Sequence, residues 1–304
     1  MPVTCSRNLH YFVIMAVLCV MAAPFVVRAS DVRVAVVVSQ KIRPYLEVTE
    51  GIMERVSSGL SGSDIFFLSP GDDLVTAQVT DRLITGDYDL VTAVGPEAAS
   101  LVWKTGIPGK KIYAALLDPD AVPHIPDDAC GISLRIPVAV QLDTISTAFP
   151  SLRRIGLLFD PDHNQWFFEA AASAAAVDDI SVEVIPLAVT ARKYIARVLQ
   201  DNLDRIDAVW MIPDQTVISE KLIQYVIKQA LYKNTGVIGY NAYFTRIGAL
   251  FSFEFDYQAL GRQAGGLVMD CLGGRECRRV PPVFESRTNP RIAQKLGLKM
   301  EADR

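Results

Sequence analysis

Histidine is nearly missing from this sequence. There are three in 304 residues, at positions 10, 124 and 163. Imidazole is the commonest general base, so its scarcity leaves few ways to build a nucleophile–base pair. His124 and His163 fall in different halves of the chain. No G-x-S-x-G elbow, phosphate-binding P-loop or H-E-x-x-H helix occurs. We expect no enzyme, no cofactor and no metal. His163 reads either as a base or, more plainly, as a histidine at a helix start. Asp118 and Asp120 are close enough to share a cation, but the proline between them accounts for the pair as a turn. Excess positive charge is absent as well. Thirty Lys+Arg stand against 34 Asp+Glu, a net −4. A basic nucleic-acid surface is therefore not expected. Low-complexity segments and short-period repeats are also lacking.

Cysteine is sparse, with five residues in no zinc spacing. Two of them, Cys5 and Cys19, sit in an N-terminal stretch unlike the rest. Arg7 precedes an apolar run over residues 11–27, and Val27-Arg28-Ala29 offers a small-residue cleavage site before Ser30. This is the pattern of a secretory signal peptide. An uncleaved membrane anchor is the other reading. The run is at the short end for a span, and Pro24 interrupts it, which favours cleavage. Leu18 stands where a lipoprotein signal would carry a small residue before its cysteine. We therefore expect residues 1–29 to be removed and the remainder to be exported or periplasmic, soluble and monomeric. An oxidising compartment permits a Cys271–Cys277 bridge across LGGRE, although three unpaired thiols, with Cys130, fit the sequence equally.

The remaining chain alternates short β-branched runs with helical stretches. Strands are expected at 32–38, 64–69, 89–94 and 111–117, then again at 154–159, 181–187, 208–212, 236–240 and 249–255. Helices are expected between them, including 164–176 and a Gly-Gly-terminated helix at 261–274. Solid apolar runs between helices indicate parallel strands covered on both faces. The rhythm restarts after residues 145–153, where Phe149-Pro150 suggests a connector. The fold class is thus α/β, with two Rossmann-like lobes.

The strand ends carry the functional signal. Polar residues and helix starts follow one strand after another: Ser39-Gln40 with Tyr45 a turn later, Gly95-Pro96-Glu97, Asp118-Pro119-Asp120, Asp160-Pro161-Asp162-His163-Asn164, Asp214-Gln215-Thr216 and Tyr240-Asn241. In a parallel sheet these ends lie along one edge, where ligands bind, and helix N-termini there favour anionic groups. Tyr45, Trp166, Tyr240 and Tyr243 offer flat walls, and Asp214 or Glu97 a counter-charge for an ammonium group. Each loop alone is also explained by helix capping; the ligand reading rests on the set and its repetition in both halves.

Residues 239–265, GYNAYFTRIGALFSFEFDYQALGRQAG, resemble the signature of ABC-transporter substrate-binding proteins of the type I periplasmic fold. Within that family they are most similar to the group that binds tryptophan or tyrosine. The resemblance continues at Gly156–Pro161, Pro213–Val217 and Asn289–Leu298. It implies two lobes joined by a three-crossover hinge, one holding residues 30–147 and 248–275, the other 148–247 and 276–304. It implies a cleft that includes Ser39, Tyr45, Gly95, Asp160, Asn164, Trp166, Asp214, Gln215, Thr216 and Asn241. It also implies a small-molecule ligand, such as an amino acid, handed to a membrane permease; a sensory role beside a membrane signalling protein is the alternative. The chain departs from the family pattern at Phe159-Asp160-Pro161, at Trp166 and at Tyr240-Asn241, where the family carries smaller or different residues.

Overall fold

The computed structural model describes residues 32–299 except 58–59, 61 and 177–180. The expected signal peptide, with Cys5 and Cys19, lies outside the described residues. Among the described residues no helix is long and apolar enough to cross a membrane.

Two six-stranded sheets organise the chain. The first contains β1 (Arg33–Val38), β2 (Gly62–Phe67), β3 (Leu90–Val94), β4 (Lys110–Leu116), β5 (Cys130–Ser133) and β11 (Arg279–Val280), in the order β11-β5-β4-β3-β1-β2. The second contains β6 (Arg154–Phe159), β7 (Glu183–Ala188), β8 (Ala208–Met211), β9 (Gly236–Gly239), β10 (Phe251–Glu254) and β12 (Glu285–Thr288), in the order β12-β10-β9-β8-β6-β7. The two orders are the same pattern shifted by five strands, with the last two strands placed one in each sheet. Every pairing is parallel except β10 with β12. Helices cover both faces, so central strands such as RVAVVV and RIGLLF are almost wholly buried.

The first lobe is packed by α1 (Arg43–Val56), α2 (Asp73–Thr85), α3 (Pro96–Lys104) and, from later in the chain, α9 (Tyr257–Leu272). The second is packed by α4 (Val138–Ala148), α5 (Pro161–Ala175), α6 (Ile195–Asn202), α7 (Glu220–Tyr232), α8 (Ala242–Arg246) and α10 (Pro290–Lys295). The chain crosses between lobes at 134–137, 255–256 and 281–284, which gives three crossovers.

The positions of these crossovers correct the expected lobe boundaries. The connector at 145–153 lies inside the second lobe. Val138, Leu142 and Ile145 recur at helical spacing and pack with Phe149, Leu152, Ile155 and Leu157, so the first crossing falls before α4. Strand β10 pairs with β9 in the second sheet, so residues 248–254 do not join the first lobe. Strand β11 pairs with β5, which keeps residues 276–280 in the first.

Candidate functional site

In the first lobe, Ser39 ends β1 fully buried. Its backbone N–H donates to the Val94 carbonyl at 2.9 Å, and its Oγ accepts from the Ala98 N–H at 2.9 Å. A serine on one strand thus caps the helix that follows another. Gly95 between them has φ +87°; a Cβ there would meet Ser39 Oγ at 2.6 Å and the Tyr45 ring at 2.8 Å. Only glycine fits, and the Tyr45 ring lies directly on it. Burial, and then the charge of Glu97, push the Tyr45 hydroxyl above its ordinary pKa. Pro96 and Glu97 open α3 at the surface, and Gln40 is half-buried beside them. Glu97 has no ion-pair partner among the described residues.

In the second lobe the same strands in the pattern are tied by a carboxylate. Asp214, which follows β8 and is 2% exposed, accepts from Asp160 N–H at 2.8 Å and Asn164 Nδ2 at 2.8 Å on Oδ2. Its Oδ1 accepts from the backbone N–H groups of Thr216 at 2.9 Å and Val217 at 3.2 Å. Asp160 caps α5 through Asp162 N–H and accepts from Thr216 Oγ1 at 2.5 Å. Asn164 leaves helical geometry, at φ −128° and ψ 23°, and so reaches Asp214. Four donors surround the Asp214 carboxylate, which ties the loop after β6 to the loop after β8. Gln215 is exposed, and its carbonyl and that of Thr216 are held by Arg192. Tyr240 packs on Phe244 at 4.8 Å, and Asn241 caps α8 by accepting from Tyr243 N–H at 3.0 Å.

The lobes meet at the crossovers. A cleft of about 280 Å³ is lined there by Tyr113, Asp120, Ser133, Arg135, Trp166 and Arg279, among others. Arg135 lies in the first crossover. It bonds Asp118 at 2.6 Å and Asp120 at 3.4 Å, and its guanidinium stands 4.8 Å over the Trp166 ring, a cation–π distance. Arg279 bonds Asp120 at 2.6 Å from beside the third crossover. That hydrogen bond holds the Asp120 carboxyl below the usual carboxylate range, although partial burial opposes it. Asp118 and Asp120 are therefore ion-pair partners of arginines, not paired ligands for a cation. Trp166 remains 43% exposed in the cleft.

The structure thus gathers Ser39, Tyr45, Gly95, Pro96 and Glu97 on one rim, Asp160, Asn164, Asp214 and Thr216 on the other, and Asp118 with Trp166 at the crossovers. Tyr240 stands close enough to Asp214 to feel its charge. Arg135 and Arg279 were not anticipated. Each finds its carboxylate partner far along the chain, so no local spacing marks it.

Two outcomes follow from this geometry. Ser39→Ala is expected to cost about 1 kcal/mol, the ordinary loss of a helix cap, measured by urea unfolding. For Tyr240, burial and then the Asp214 charge push the hydroxyl up to about 12. The pKa is raised on folding, so its contribution is complete below about 10, the unfolded value, and is lost as pH rises toward 12. Stability should fall across that interval, and Tyr240→Phe should fall less in parallel unfolding curves.

Two lobes of α/β structure, parallel-dominated sheets and a triple crossover define a type I periplasmic binding fold. Residues 64–303 match the family described as ABC transporter substrate binding protein, and the chain belongs to that family. A curated relative, the tyrosine-binding protein of Clostridioides difficile strain R20291, is 20% identical over 224 residues, covering 71% of this chain and 64% of its own length. The chain therefore spans just under two thirds of that relative. Among solved structures, an ABC domain from Streptococcus pneumonia in complex with L-Trp aligns at TM-score 0.56 and 21% identity, covering 90% of this chain and 96% of the other. The ligand-free, open structure of a substrate-binding protein with adhesive properties from Clostridium difficile aligns at TM-score 0.73 and 16% identity, covering 89% and 96%. The family is one of ABC-transporter substrate-binding proteins, and the chain's relatives include an amino-acid binder.

Proposed function

We propose that the protein clasps a free amino acid between its lobes and delivers it to an ABC permease after export. One observation carries this reading: both sheets end in rims stiffened by internal hydrogen bonds, and the side chains left over are suited to an amino acid. Glu97 supplies an unpaired carboxylate for an ammonium group, and Tyr45, Trp166 and Tyr240 supply aromatic surface. The relatives that bind tyrosine and tryptophan support the ligand class. Closure joins groups from both rims around the ligand, and each rim moves as a unit because its loops are tied to one another.

Isothermal titration with the natural amino acids, aromatic ones first, tests the proposal. Heat with one or a few of them and a smaller scattering radius are expected. No heat and no compaction with any member of the panel would overturn it. Glu97→Gln should weaken binding by about tenfold or more while leaving unfolding unchanged, since a charged hydrogen bond contributes about 1.5–3 kcal/mol.

A further inference from the structure

Cys130, Cys271 and Cys277 converge on the first lobe from three separate segments: the start of β5, the last turn of α9 and the approach to β11. Their sulfurs all lie within 4.8 Å of one another. The Cα of Cys277 is 5.6 Å from that of Cys130 and 5.4 Å from that of Cys271, so either pair can be bridged without moving the backbone. One sulfur holds only one disulfide. Cys130 Sγ also has the Lys111 carbonyl at 3.4 Å as an acceptor, a partner for its S–H when it is the member left out. Cys130 and Cys271 are buried, whereas Cys277 is half-buried and is the one member a dissolved thiol reagent can reach.

We propose that these three cysteines form a thiol–disulfide exchange site in which Cys277 is the shared member. The Cys277 thiolate attacks one sulfur of a low-molecular-weight disulfide. A mixed disulfide forms, and half of the reagent leaves as a thiolate. The thiolate of Cys271 or Cys130 then attacks Cys277 Sγ, which forms the internal bridge and expels the second half. Two electrons pass to the reagent. The third cysteine, as its thiolate, can next attack Cys277 Sγ and displace the first partner, with no net redox change. The two bridged forms differ mechanically. Cys271–Cys277 closes a short turn after α9. Cys130–Cys277 instead joins β5 to the approach to β11, and these two strands run into the first and third crossovers. Exchange therefore makes or breaks a covalent tie between two of the three connections on which the lobes hinge.

The test starts from the purified, reduced protein. It is oxidised with oxidised glutathione, quenched in acid, alkylated and mapped as non-reduced peptides. Both the Cys271–Cys277 and the Cys130–Cys277 pairs are expected in one preparation, with one of these three cysteines left alkylatable in each chain, and their ratio should relax faster as pH rises. Cys130→Ser and Cys271→Ser should each retain the single remaining pair. A single pairing at every pH, three free thiols, or one metal ion per chain held by the three sulfurs would each overturn the proposal. The wild-type map decides the matter even if a variant fails to fold, and it needs no amino-acid ligand, so it stands or falls apart from the binding reading.

Discussion

Asp214→Ala should lower the unfolding free energy by about 3–5 kcal/mol, in the range reserved for broken buried networks. The carboxylate is buried and accepts from three backbone N–H groups and the Asn164 amide. Alanine leaves three of the four donors without a partner, while the Val217 N–H keeps its 3.1 Å bond to the backbone carbonyl of residue 214. Each buried, unsatisfied donor costs about 1–3 kcal/mol, and partial entry of water keeps the total below the sum. Asp214→Asn retains one acceptor oxygen but turns an amide N–H₂ toward donors, so it should lose nearly as much. The loop after β6 and the loop after β8 would come apart, and ligand affinity should fall with them. Urea unfolding followed by circular dichroism gives the first number, and titration with the identified ligand the second. An alanine variant within 1 kcal/mol of the wild type would show that the carboxylate is not the strut described here.

The same logic separates the two kinds of residue at the strand ends. Ser39, Asp160 and Asp214 are turned inward and hold loops to loops. Glu97, Trp166 and Gln215 are turned outward, and their side chains reach no neighbouring strand. Sequence alone cannot divide these groups, because a capping residue and a ligand-binding residue are drawn from the same small set of side chains. What divides them is the partner. Asp214 meets Asp160 and Asn164 only because β6 and β8 lie side by side, and Ser39 meets Ala98 only because β1 lies beside β3.

This also explains which parts of the fold could be read beforehand. Strands β1 and β6 are covered on both faces, so their solid apolar runs announced themselves. The polar edge strand ESRT and the two-residue strand Arg279–Val280 give no such signal, since edge strands bury little. Helix α4 straddles the expected lobe boundary for a different reason. Its sequence VAVQLDTISTA is rich in β-branched and hydroxyl residues, and the conspicuous Pro150 drew the boundary to its far end. The proline that matters is Pro137, which precedes α4 and lies in the crossover itself. The arginines of the cleft were hidden because an ion pair across the fold has no period in the chain.

Gly261→Val should be the most disruptive change in the first lobe outside its sheet. Helices α1 and α9 pack backbone against backbone, through glycines on both. A Cβ on Gly261 would collide with the Val48 carbonyl oxygen and come within 2.9 Å of the Gly51 Cα. A Cβ on Gly51 would collide with the Gln258 carbonyl oxygen and reach the Arg262 nitrogen at 2.7 Å. These obstacles are backbone, which cannot rotate aside, so the helices must separate. Separation strips contact from Val48, Ile52, Leu260 and Ala264, all fully buried now. The cost should be about 3 kcal/mol, the upper end of ordinary overpacking. A functional loss should accompany it, because α1 carries Tyr45 and seats its ring on Gly95 at the carboxyl end of the first sheet. Gly266, five positions along the same helix and facing open space, is the control: Gly266→Ala should be neutral or slightly stabilising, since a helical glycine gives up about 1 kcal/mol of propensity relative to alanine. Thermal unfolding of the two variants side by side decides the point. Equal midpoints would mean that the helix pair tolerates separation and that Tyr45 is held in place by something other than this contact.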